Sequence, residues 1–148
     1  MTMDKLSFFG LWFNRVVLFL VSILFAIIAT RNLLHPAEAA GVSNITLSSA
    51  TAFSVARVSM GAIPLAIAVF MFISMFSVKQ ILSGLLFLFI LIVTVTLVRV
   101  VSLVIDGHSD FGQKVLTPEI VITILASVGL YLEKRRRRRY GRNDLVVN

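Results

Sequence analysis

The stretch Ile81 to Ile105, ILSGLLFLFILIVTVTLVRVVSLVI, carries a single charge, Arg99, and a single glycine, Gly84. Its length fits the roughly 20 residues that cross a hydrocarbon core of about 30 Å at about 1.5 Å per residue. Lipid offers the backbone no hydrogen-bond partners, so such a run is predicted to be a membrane-spanning helix. Working outward, comparable apolar runs extend from Phe8 to Thr30, Ala52 to Phe76 and Val115 to Leu132. The fold class predicted is all-α: an integral membrane protein with a four-transmembrane-helix, up-down-up-down bundle over residues 1–133. Residues 134–148 then form a basic cytoplasmic tail, and the fourth span is the shortest.

Composition agrees with that reading. The chain of 148 residues is 58% hydrophobic and 14% charged, where soluble domains are about half apolar and about a quarter charged. A fold this small leaves much of its area exposed, so the apolar excess must face lipid. The absence of cysteine excludes disulfides, thiolate metal sites and cysteine nucleophiles. Two histidines, His35 and His108, are too few for a histidine-rich metal site, and neither a metal nor another cofactor is expected.

The net charge of +7 is localised. Lys134, Arg135, Arg136, Arg137, Arg138, Arg139 and Arg142 supply it, because the other basic groups balance the acidic ones. A basic run directly after a span suits anionic lipid headgroups, at about 1 kcal/mol per Lys or Arg. Nucleic-acid binding would spread its basic groups over a folded face, and no such partner is expected.

Orientation follows from the same residues. Lys5, Arg15, Lys79 and the run Lys134 to Arg139 fall on one side of four spans, which makes that side and both termini cytoplasmic. Ser77-Val78-Lys79-Gln80 is a tight inner turn, while Arg31 to Thr51 and Asp106 to Lys114 face outward. The first span is expected to be retained, since the cleavage-like Ala37-Glu38-Ala39 lies well beyond its apolar run, with Arg31 and His35 between. The sequon Asn44-Ile45-Thr46 lies in the outer loop and matters only in a eukaryotic secretory pathway.

Deep charges are the candidate functional residues. Arg57, Arg99 and Glu119 lie within three different spans, all in the outer half, with Asp106 at the end of the third. An ion at the bilayer centre costs about 2.5–3.5 kcal/mol, so these groups should face one another or water. Arg57 or Arg99 is expected to pair with Glu119, and Arg99 to lean towards Asp106. His35, Thr96, Ser102, His108 and Thr123 are expected around the cluster. Ala50, Ser54, Arg57, Gly61, Pro64 and Ala68 form a stripe of small residues around one arginine, suited to close helix packing. Ser22, Ala26 and Ala29 offer the same on the first helix, while Phe70 and Met71 are expected to face acyl chains.

Arg57-x-x-x-Gly61, Arg99 followed by Asp106-Gly107, and Glu119 in the last helix give the chain a family likeness. In these residues it resembles the bacterial membrane family known as domain of unknown function 4345 and, more broadly, the DoxX-type four-helix proteins. The likeness covers about residues 10 to 132 and implies a bacterial inner-membrane protein with an interior lined by arginine and acid. It implies no established activity.

Three functions fit these observations. The first is a subunit without catalysis of its own, accessory or oligomer-forming, whose partners cover its helix faces. The second is a carrier or channel for a small solute, lipid or proton that uses the charged cluster. The third is a quinone- or lipid-linked enzyme subunit, in which Glu119 and His108 would do acid–base work without any nucleophile–base spacing to support them.

Overall fold

A computed structural model describes residues 5–105, 107 and 110–144. The elements are α1 (Lys5–Leu34), α2 (Pro36–Gly41), α3 (Ala50–Ala56), a π-helical segment (Arg57–Ala62), α4 (Ile63–Phe76), α5 (Ile81–Ile105) and α6 (Asp110–Asp144). Among the described residues there are no strands. Four helical stretches are long and apolar enough to cross a membrane: Phe8–Leu34, Ala50–Phe76, Ile81–Ile105 and Phe111–Arg138.

The chain divides into two compact units, with the divisions falling inside α1 and α4. One unit joins the chain up to Leu18 to everything from Ser74 onward. Its core is Leu11, Val17 and Leu18 from α1, Ile81, Leu85, Leu88 and Ile92 from α5, and Ala126 and Leu130 from α6. The α5 positions alternate steps of four and three, which keeps them on one helical face. Close approach depends on glycine here. A Cβ on Gly84 would stand 2.7 Å from Ser74 Cβ, and one on Gly129 would stand 2.9 Å from Asn14 Oδ1 and 3.1 Å from Leu85 Cδ2. Gly107, between α5 and α6, has a φ of 90, in a region that side chains disfavour.

The second unit, Phe19–Ile73, holds the rest of α1, α2, α3, the π-helical segment and most of α4. Ser49 starts α3 by accepting a hydrogen bond from Ala52 N at 3.1 Å, so the second span begins at Ala50 rather than Ala52. Ser22 Oγ, buried on α1, donates to Ala68 O at 2.9 Å. In lipid such a bond ties two helices where apolar side chains gain little from each other. Ala29, Ala56, Gly61 and Ala68 are buried, and a Cβ on Gly61 would come within 2.7 Å of Leu33.

Some sequence expectations need correction. The π-helical turns were not foreseen; they precede Pro64, whose ring crowds the Met60 carbonyl and has no N–H for it, so the helix widens there. Met71, expected to face acyl chains, is fully buried. Gly61, Pro64, Ala68 and Met71 step by three, four and three, which places Met71 on the packed face, while Phe70 is exposed. The fourth helix is the longest rather than the shortest, running 35 residues from Asp110 to Asp144. Arginine is a good helix former, so nothing ends the helix where the apolar run ends. Because α6 starts at Asp110, Pro118 lies about two turns inside it.

Candidate functional site

Glu119 on α6 meets Arg99 on α5. Arg99 Nε donates to Glu119 Oε1 at 2.8 Å, and Nη2 lies 2.8 Å from the same oxygen. The Glu119 side chain is 7% exposed and that of Arg99 25%, so the carboxylate is inside and the guanidinium at the margin. Both nitrogens use one oxygen. Glu119 Oε2 is buried with no partner among the described residues, and so is Thr96 Oγ1, one turn before Arg99. Buried carboxylate oxygens normally accept at least one hydrogen bond, which makes this pair of unmatched groups unusual. Thr123 does not relieve them, because its hydroxyl donates at 2.8 Å to the backbone oxygen of Glu119.

The remaining candidates are placed as follows. Arg57, on the second unit, is exposed at the start of the π-helical segment and makes no side-chain hydrogen bond or ion pair among the described residues. Ala50 and Ser54 are exposed beside it, Pro64 is half-buried, and Gly61 and Ala68 are buried. His35 is exposed, with Nδ1 4.0 Å from Glu38 Oε1. Ser102 is exposed on α5. Asp106 and His108 lie outside the described residues.

A second cluster, which the sequence reading missed, lies at the far end of α6. Glu133 is fully buried and accepts from four donors. Arg136 Nη2 reaches Oε1 at 2.6 Å and Arg136 Nε reaches Oε2 at 3.0 Å; Arg137 Nε reaches Oε1 at 3.0 Å and Asn14 Nδ2 reaches Oε2 at 3.4 Å. Arg137 Nη2 also donates to Lys79 O at 2.8 Å and Val78 O at 3.4 Å, clasping the turn between α4 and α5. Part of this was readable, since Glu133 stands three and four residues before two arginines on a helix. The Asn14 contact was not, because it joins positions far apart in the chain.

The basic run therefore divides. Lys134, Arg135 and Arg138 are exposed, Arg136 and Arg137 are bound to Glu133, and the Arg139 side chain lies outside the described residues.

Spans of this length and hydropathy, with ionic groups paired between helices, define a multi-pass helical membrane protein. The chain belongs to the family described as Domain of unknown function (DUF4345), whose family model matches residues 13–130. That match takes in Asn14, Arg57, Arg99 and Glu119 and stops short of Glu133. No curated protein and no solved structure matches the chain.

Proposed function

We propose that this protein is a subunit of a membrane assembly, without catalysis of its own, and that it acts by contact with other subunits. One observation carries the reading: Arg57 lies in a membrane-spanning helix, exposed and without a partner among the described residues. A cation there is costly in lipid and calls for an acceptor beyond the described residues, which we assign to another subunit. The other deep arginine, Arg99, is already held by Glu119. The setting we propose is the bacterial inner membrane with both termini cytoplasmic, which puts Lys134, Arg135 and Arg138 against anionic headgroups. Mass measurement in native nanodiscs tests the reading. Copies of the chain, or a second protein, should accompany it, and a lone chain would end the proposal.

A second reading is a carrier for a small solute or proton at Glu119. Its support is the buried Glu119 Oε2, without a partner among the described residues, which a bound group with a hydrogen to donate would satisfy. In vesicles containing the protein, Glu119→Gln should change proton or solute flux while the helical signal stays intact. Equal flux would remove Glu119 from any such path.

A further inference from the structure

We infer that the missing acceptor for Arg57 is Glu38 of a second copy of this chain, and that the two copies face each other about a twofold axis. The inference rests on the subunit reading and names its partner. Glu38 projects from α2 with its side chain 73% exposed, and the His35 imidazole lies 4.0 Å from its carboxylate. Within the second unit α2 is in contact with α3 and buries Pro36 and Ala40, so Glu38 lies near the end of the second span where Ala50 begins. Arg57 stands about 10 Å along that helix at about 1.5 Å per residue. Helical side chains lean towards the N-terminus, so its guanidinium rises towards the level of α2.

One contact thus joins an arginine that has no acceptor among the described residues to an exposed carboxylate. Twofold symmetry makes it twice, since Arg57 of each copy meets Glu38 of the partner subunit. A phospholipid phosphate would satisfy Arg57 alone, whereas the partner's Glu38 engages both exposed charges. Around Arg57, Val55, Val58 and Ile63 are exposed and supply apolar surface for the same contact. The ion pair fixes orientation, because like charges meet if the copies are turned another way.

Charge reversal tests the pairing. Arg57→Glu and Glu38→Arg should each lower the dimer fraction in nanodiscs by about tenfold or more. The double variant should recover it, because the salt bridge is rebuilt with its ends exchanged. Circular dichroism of each variant checks that the helices persist. The chain has no native cysteine, so one copy carrying Val58→Cys mixed with another carrying Ala37→Cys should form a disulfide dimer without background. Recovery by the double variant together with that cross-link supports the pairing. Single reversals that leave a wild-type dimer intact would overturn the pairing while the subunit reading stands. So would loss of bound anionic phospholipid from Arg57→Glu at unchanged mass. A wild-type chain that is alone in its nanodisc would overturn both.

Discussion

Asn14 on the first helix and Glu133 on the last are in contact, the amide donating to the carboxylate at 3.4 Å with both side chains fully buried. Arg136 and Arg137 complete the carboxylate, and Arg137 carries the connection on to the turn between α4 and α5. An acid that apolar counting assigns to the edge of a tail is thereby the anchor of one end of the unit.

Removing that anchor should be expensive. Glu133→Ala leaves Asn14 and two arginines without their acceptor, and breaking a buried ionic group in this way costs about 3–5 kcal/mol. Unfolding in mixed micelles by increasing SDS should show the loss. Lys134→Ala, an exposed neighbour, should stay within about 0.5 kcal/mol of wild type. Equal effects at the two positions would contradict the role assigned to Glu133.

The Arg99–Glu119 pair should respond asymmetrically. Arg99→Leu strands a carboxylate that is 7% exposed, whereas Glu119→Leu strands a guanidinium that is 25% exposed and able to reach the interface. The first change should therefore destabilise more, by about 1–2 kcal/mol. The double leucine variant should recover most of the loss, since paired buried charges replaced together by apolar groups are often close to neutral. The same SDS titration decides, and equal single effects would refute the asymmetry.

Gly129 and Gly84 should not tolerate a methyl group. Gly129→Ala places carbon 2.9 Å from Asn14 Oδ1, and Gly84→Ala places it 2.7 Å from Ser74 Cβ. Overpacking of this kind costs about 1–3 kcal/mol. Gly41→Ala, with nothing within 4 Å, is the control and should be near neutral. The ranking of the three unfolding midpoints is the readout.

Thr96→Val should be neutral or stabilising by about 1 kcal/mol, because it replaces a buried hydroxyl that has no partner among the described residues with a methyl of the same shape. A clear destabilisation would mean that the hydroxyl is used by a bound group. Isothermal titration with candidate solutes would then be the next measurement.

The four spans were legible because each is a long apolar run, and the cost of an ion in lipid made Arg57, Arg99 and Glu119 stand out. What hydropathy does not encode is where a helix stops. Arginines after Leu132 end the apolar signal but extend the helix, so the length of α6 was hidden. Met71 was misassigned although the spacing from Gly61 already held the answer. Asn14 resembled an ordinary polar residue in a span, and only tertiary packing reveals what it touches. The π-helical turn before Pro64 left a proline in the sequence as its single sign.

Glu119 and Glu133 belong to one unbroken helix, and fourteen residues are close to four whole turns, so the two acids point the same way about 21 Å apart. The shaft of α6 is fastened to α5 at one level and to α1 at the other. A twist that pulls Glu119 off Arg99 must also drag Glu133 against Asn14. A disturbance at the Arg99–Glu119 pair is therefore felt mechanically at the Asn14–Glu133 end of the same helix.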